Sequence, residues 1–241
     1  TAGICFDWRY CNDRLCNMAR YFLFQNENTN HFLKKLNMTT EIEESKMVTT
    51  ISDRQLEIIE AAGKILTRSG VGGLTIKNLA KEMKFSESAI YRHFTSKEEI
   101  IIAMLNYLAE NMEERLSSLD YGTETEQIFK DFFHEQLRFF KLNPHFVVAV
   151  FSDGLMEESK RINETILKIM AVKSKHLIPL IKEGQKNGVF TNAIPAEDLT
   201  HIVMGAFRLQ MFKWRISNFE FDINVVGKKI IHSLFTIIKA N

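Results

Sequence analysis

Helix-breaking residues are scarce in this chain, while its apolar residues recur every three or four positions over long stretches; together these two features leave little room for anything but helices. Of 241 residues, 11 are glycine and 3 are proline, the two residues that break helices and populate turns. No run alternates apolar and polar residues at period two, so no sheet is expected. The expected fold class is all-α.

The helical pattern is clear from residue 52 onward. Ser52 or Asp53 can cap a helix whose apolar residues are Leu56, Ile59, Ala62, Ile65 and Leu66. Gly70, Gly72 and Gly73 end it, since glycine accepts the left-handed geometry of a helix terminus. Thr75 caps a short helix, Ile76–Met83, and Lys84-Phe85 makes a turn. Ser86 caps the next helix, which runs to about His93. Thr95-Ser96 opens a long helix continuing past Met112, and Ser96 followed by Glu99 spells a capping box. Beyond it the expected helices are Glu124–Leu142, Pro144–Glu157, Ser159–Lys186, Ala196–Ser217 and Asp222–Lys239. Asn143-Pro144, Asn187-Gly188, Ile194-Pro195 and Ser217-Asn218 are the breaks.

Residues 1–46 differ in character. They carry an aromatic-rich segment without clean periodicity, a polar run from Gln25 to Asn30, and the acidic Glu41-Ile42-Glu43-Glu44. They are expected to be an atypical N-terminal extension, poorly ordered or not native, with Met47 as the natural start. The three cysteines, Cys5, Cys11 and Cys16, all fall there. An odd number in one segment, at no zinc-site spacing, suits incidental thiols in a cytoplasmic protein. No apolar run reaches the ~18–20 residues that a membrane helix needs. No membrane partner is expected.

The segment Leu74–Phe94 carries the chemistry. Its apolar set (Ile76, Leu79, Ala80, Met83, Phe85, Ala89, Ile90 and Phe94) can close a small core. Thr75, Lys77, Ser86, Glu87, Ser88, Tyr91, Arg92 and His93 are then left facing outward. A second helix presenting hydroxyls, an arginine and a histidine is what docking in a DNA major groove requires. From Lys64 to Lys97 there are seven basic and two acidic residues, a local excess of five in a chain of net charge +1. Phosphate neutralisation is therefore concentrated where the motif sits.

Residues 53–100 strongly resemble the DNA-binding domain of the tetracycline-repressor (TetR) family. The resemblance lies in Gly70 followed by Leu74-Thr75-Ile76, then Leu79-Ala80. Above all it lies in Ser86-x-x-Ala89-Ile90-Tyr91-Arg92-His93-Phe94-x-Ser96-Lys97-Glu98. It implies a helix-turn-helix DNA-binding domain at 47–98, joined by a long helix to a helical regulatory and dimerisation domain at 99–241. Thr75 and Ser86 resemble residues that touch phosphate through hydroxyl and backbone N–H. Tyr91, His93 and Lys97 match positions that clamp the DNA backbone. Glu87, Ser88 and Arg92 match the surface that faces base edges. The chain departs from the family at Ser88, a position often held by glycine, which puts base preference there in doubt.

For the second half the resemblance implies architecture but names no ligand. Two final long helices would pair with those of a second subunit in a four-helix bundle. His201, Gly205, Leu209 and Phe212 on one, with Val226, Ile230 and Leu234 on the other, are the candidate homodimer seam. Two-fold symmetry would then set two recognition helices about 34–36 Å apart, or a multiple, over a near-palindromic operator of double-stranded DNA. Met104, Phe132, Phe133, Phe151, Met170, Phe207 and Met211 are candidates for lining an apolar effector pocket, although such residues ordinarily fill cores. His134, His145, His176 and Arg208 are possible polar anchors.

The resulting expectation is a transcriptional regulator acting as a repressor, released from its operator by a small, largely apolar effector. The rival readings are a constitutive DNA-binding protein without an effector and a helical enzyme. No Gly-x-Ser-x-Gly elbow, phosphate loop, dinucleotide fingerprint or His-Glu-x-x-His is present. His134-Glu135 with Asp153 and Glu157 is the one group with the residue types to gather a metal, and nothing in the sequence orders it. No catalytic residue, metal or cofactor is expected.

Overall fold

Ser52 sets the first helix, α1 (Asp53–Gly73). Its Oγ accepts from the Gln55 N–H at 3.3 Å, and the Gln55 side-chain oxygen accepts from the Ser52 N–H at 3.1 Å. This is a complete capping box, of the two expected caps the one that is used. The computed structural model describes residues 51–119, 124–151, 155 and 159–240. The N-terminal extension with its three cysteines, together with Asp153 and Glu157 of the candidate metal group, lies outside the described residues.

Regular α1 geometry breaks at Gly70, whose φ of 63° suits a residue without a side chain. One further turn reaches Gly73. Thr75 then caps α2 (Ile76–Met83) by accepting from the Asn78 N–H at 3.1 Å. The turn runs through Lys84 in the left-handed region (φ 56°), and the Phe85 N–H returns to the Ala80 carbonyl at 2.8 Å. Ser86 caps α3 (Glu87–Tyr91) through the Ala89 N–H at 3.2 Å. This helix is shorter than its sequence pattern suggests. The His93 and Phe94 N–H groups both fold back to the Ile90 carbonyl, at 2.9 and 3.1 Å, which closes the helix before Arg92.

Ser96 caps α4 (Lys97–Ser117), its Oγ accepting from the Glu99 N–H at 3.2 Å. The reciprocal half of the expected box is different. Glu99 accepts from the N–H of Thr95, one residue earlier, at 2.9 Å. That bond holds the Glu99 carboxyl below its ordinary value.

The remaining helices lie close to their expected bounds, except that the one opening at Pro144 closes at Val150, short of the expected Glu157. They are α5 (Thr125–Leu142), α6 (Pro144–Val150), α7 (Lys160–Lys186), α8 (Ala196–Ile216) and α9 (Ile223–Ile238). Pro144 opens α6, where its missing N–H costs nothing. Pro179 lies within α7, and the helix continues through it. Among the described residues there is no strand, only an isolated bridge between Phe190 and Lys239. No helix among them is long and apolar enough to cross a membrane.

From Ile51 onward these helices form one compact unit. The inner faces of α1, α2 and α3 bury Ile58, Ile59, Ile65, Leu66, Leu79 and Ile90. The rest of the chain packs around a phenylalanine-rich interior, in which Phe129, Phe132, Phe133 and Phe190 are fully buried. Two structures link the halves. The first is the pair α4 and α7, which run parallel. Glu98 meets Ser159 and Arg161, Asn106 meets Lys168, and Glu113 meets Lys175 and His176, so partners advance together along both helices. The second is α6, packed on α1. An ideal Cβ on Gly63 would lie 2.8 Å from the His145 ring, so only glycine admits that ring against α1.

Candidate nucleic-acid interface

Thr75, Lys77, Ser86, Glu87, Ser88, Tyr91, Arg92 and His93 are all exposed, and Lys97 is half-buried at the first turn of α4. Such exposure follows from the local folding. Leu79, Ala80, Ile90 and Phe94 are buried, and a helix that turns those residues inward must turn the intervening polar ones outward. Tyr91 is 50% exposed, although a large aromatic side chain would ordinarily gain by burial.

The charge of the surface is more uneven than the sequence count implies. Glu82 is paired with Arg68 at 2.9 Å, which leaves Glu87 as the unneutralised acid of the motif. Lys77, Lys81, Lys84 and Arg92 share this surface. Ser88, the departure from the family pattern, is held back: its Oγ lies 2.9 Å from the Ser86 Oγ. The hydroxyl therefore adds bulk near the start of α3 but is partly committed to its neighbour.

The other predicted site residues divide. Met104, Phe132, Phe133, Phe151, Phe207 and Met211 are buried. Phe133 contacts both Phe132 and Phe207, with ring centroids 4.9 and 5.4 Å apart, which brings α5 and α8 together. Met170 is not among them. It is 37% exposed on the outer face of α7, because Ile162, Ile166, Ile169 and Leu177 take the inward positions. On the candidate seam, His201, Gly205, Leu209 and Phe212 form one exposed stripe of α8, and no described atom lies within 4 Å of a Cβ built at Gly205. Val226 and Ile230 are half-buried. Leu234 is buried, because α9 packs on α5 through Ile223, Gly227, Ile231, Leu234 and Ile238. The exposed apolar residues of α9 are instead Val225 and Ile237.

The polar anchors also differ from one another. His176 Nε2 lies 3.1 Å from a Glu113 oxygen, in the α4–α7 seam. His134 sits near Asp131 and is lowered by burial and by Lys228. His145 is the seat against Gly63, and burial pushes its imidazole down to about 4. Arg208 stacks on Phe151, 5.0 Å from the ring centroid. Among the described residues, no group of three or more His, Cys, Asp or Glu side chains is placed to hold a metal ion.

Sequence reasoning passed over four interior residues: Arg115, Gln136, Lys173 and Gln210. Each falls at a position the helical period assigns to the core. Lys173 stands between Ile169 and Leu177, and Gln136 between Phe132 and Phe140. A polar residue in an apolar register is the signal that would have found them.

The family model described as bacterial regulatory proteins, tetR family, matches residues 58–104, which run from α1 into α4. The nucleoid occlusion factor SlmA of Vibrio campbellii (strain ATCC BAA-1116) is 27% identical over 134 residues, covering 55% of this chain and 68% of the relative. Among solved structures, the fatty acid degradation regulator FadR from Bacillus halodurans aligns with a TM-score of 0.69 at 17% identity, over 79% of this chain and 97% of that one. FadR from Bacillus subtilis, solved in complex with stearoyl-CoA, aligns with a TM-score of 0.62 at 15% identity, over 76% and 98%. The fold is therefore that of an N-terminal helix-turn-helix domain followed by a helical domain, and residues 58–104 are similar to the tetR family of bacterial regulatory proteins.

Proposed function

We propose that this DNA-binding transcriptional regulator acts in the cytoplasm as a homodimeric repressor, released from a near-palindromic operator when a small effector with an apolar body enters its second half. The observation that carries the reading is the exposed α3 with its flanking cations, held on a core that is itself tied to the second half at two places. In the roles implied by the family resemblance, Arg92, Glu87 and Ser88 face base edges. Thr75, Lys77, Ser86, Tyr91, His93 and Lys97 hold phosphates. The exposed stripe of α8 gives the dimer its seam, with Val226 and Ile230 of α9 beside it. Close approach is easiest at Gly205.

Release would work through the two ties. An effector among Met104, Phe132, Phe133, Phe151, Phe207 and Met211 would spread α5 and α8 from α4. The parallel α4–α7 pair would carry that shift to Glu98, beside the recognition helix, and α6 would carry it to Gly63 of α1. The effector must bind the released form more tightly, because equal affinity for both forms shifts nothing. Compounds that raise the melting temperature of the protein would be added at saturation to a titration with a selected duplex. Weakened duplex binding is expected; unchanged affinity with every such compound contradicts the switch.

A second reading has one observation in its favour. One matched relative is named a nucleoid occlusion factor, a role other than that of a repressor, and the second reading is a chain that binds DNA without an effector. The same titration separates the two. No catalytic role is assigned.

A further inference from the structure

Lys173 and Arg115 face aromatic rings of the second half, and Gln136 and Gln210 lie one helical turn from the rings beside Lys173. Lys173 is half-buried on α7 with its ammonium over aromatic rings, 4.8 Å from the Phe207 centroid and 5.5 Å from that of Phe140. Arg115 from α4 lies flat on Phe139, its Cζ 3.8 Å from the ring centroid. Arg208 from α8 completes the set, and both guanidiniums act electrostatically on Lys173. Two cations, Lys173 and Arg115, thus face an aromatic interior with the exposed Arg208 at its edge; Glu135 acts electrostatically on Arg115, and among the described residues no carboxylate forms an ion pair with Lys173.

The hydrogen-bonding inventory is lopsided in the same place. Arg115 Nη2 and Gln210 Nε2 are buried donors without an acceptor, and Gln136 Oε1 is a buried acceptor without a donor. Gln210 lies one helical turn beyond Phe207, and Gln136 one turn before Phe140, so each ring beside Lys173 is flanked by an unsatisfied amide. Gln136 and Gln210 are 0% and 5% exposed. Buried polar groups are ordinarily satisfied, and unpaired ones are costly. The two orphaned donors and the lysine all need negative charge or lone pairs.

We propose that the space between α4, α5, α7 and α8 binds an organic anion with an apolar or aromatic body, whose acidic oxygens accept from Lys173 Nζ, Arg115 Nη2 and Gln210 Nε2. This rests on the effector reading above and gives its ligand a chemical class. Phe133, Phe140 and Phe207 receive the body, while the head neutralises charges that otherwise repel one another. Arg115 also begins a run of contacts toward the DNA-binding half. Its ring partner Phe139 stacks on Phe146 at 5.5 Å, and Phe146 adjoins His145, which is seated on Gly63. An anion that draws Arg115 from Phe139 disturbs that run at its origin.

Two dyes of nearly equal shape test the proposal: 1-anilinonaphthalene-8-sulfonate, and N-phenyl-1-naphthylamine, which lacks the sulfonate. Each would be titrated by fluorescence into the full chain and into Lys173→Met and Arg115→Met. Lys173→Met replaces an interior charge by an apolar chain of similar length, so it retains the fold. The expected result is a loss of sulfonate-dye affinity of about tenfold or more in each variant, the size of a charged hydrogen bond, with the neutral dye unchanged. Failure of the unmodified protein to bind the sulfonate dye overturns the proposal, as does an equal loss for both dyes or retained sulfonate-dye binding in both variants. Duplex affinity measured on the same samples separates the two claims. Charge-dependent dye binding with unchanged duplex affinity upholds the anion site and removes the switch. Charge-independent binding that weakens the duplex complex overturns the site and leaves the switch standing.

Discussion

Arg92 and Lys77 both present positive charge to solvent, yet they should fail differently when removed. An arginine paired with a base edge discriminates between sequences; a lysine on a phosphate does not. Arg92→Ala is therefore expected to cost about 1–3 kcal/mol on the best duplex and to relax preference at one base pair per half-site. Lys77→Ala should weaken every duplex alike and reduce the slope of log affinity against log salt by about one. Fluorescence anisotropy over a salt series, on matched and single-substituted duplexes, distinguishes the two. Lys173 behaves in the opposite way, as a residue whose loss improves stability. Burial pushes its ammonium down to about 7, with the repulsion of Arg208 and Arg115 added. The folded chain then binds fewer protons than the unfolded chain between about pH 7 and the ordinary lysine range, so stability rises with pH across that window. Below it the cost of the buried charge is carried in full. Lys173→Met should raise the melting temperature at pH 7, readable by thermal denaturation. It should at the same time lose the anion, a trade of stability against binding.

At the level of helices, the seat of α6 on α1 is the contact most open to test. Gly63→Ala places a methyl 2.8 Å from the His145 ring. Such crowding between backbone-anchored groups typically costs about 1–3 kcal/mol. His145→Ala in the same chain should recover part of that loss, a non-additivity readable from urea denaturation midpoints. The seat also has a pH signature. With its folded-state value at about 4, against about 6.5 when unfolded, the imidazole takes up its proton more readily in the unfolded chain. Its contribution is complete above about pH 6.5 and falls away as the pH drops toward 4, by at most about 3 kcal/mol. Replacing His145 by glutamine should flatten the stability profile over that interval.

The helices themselves were legible because their caps and breaks are spelled locally: Ser52 with Gln55, Thr75, Ser86, Asn143-Pro144. Where the sequence reading missed, an alternative partner of similar energy had won. Glu99 chose the Thr95 N–H over that of Ser96, and Ile90 drew two N–H groups that closed α3 early. The exposed polar surface around α3 could be read from outward polarity alone. Interior assignments could not, because a list of large apolar residues does not reveal which helix face packs inward. Met170 and Leu234 were each turned to the other side by their neighbours' packing. Lys173, Arg115, Gln136 and Gln210 stand on four different helices, and periodicity within any one of them cannot show how they are placed relative to one another.

At the scale of the whole molecule, α8 carries an apolar stripe that is exposed among the described residues. Leu209 is 59% exposed, Ile216 62%, and Ile202 48%, spaced along one face. Surface of that kind is characteristic of an association site. If the proposed dimer forms through this stripe, Leu209→Glu should leave the chain monomeric in light scattering, with its helical circular dichroism intact. It should weaken binding to a two-half-site duplex far more than to a single half-site, because the second contact then ceases to be intramolecular.

All of this depends on α3 being the surface that meets DNA. Selection of duplexes from a random pool by the purified chain, repeated with Arg92→Ala, tests it most directly. The expected result is an enriched inverted repeat, with one base pair in each half losing its preference in the variant. An absence of enrichment, with no duplex binding even at low salt, contradicts it, as does an Arg92→Ala protein that selects the unaltered site with undiminished affinity.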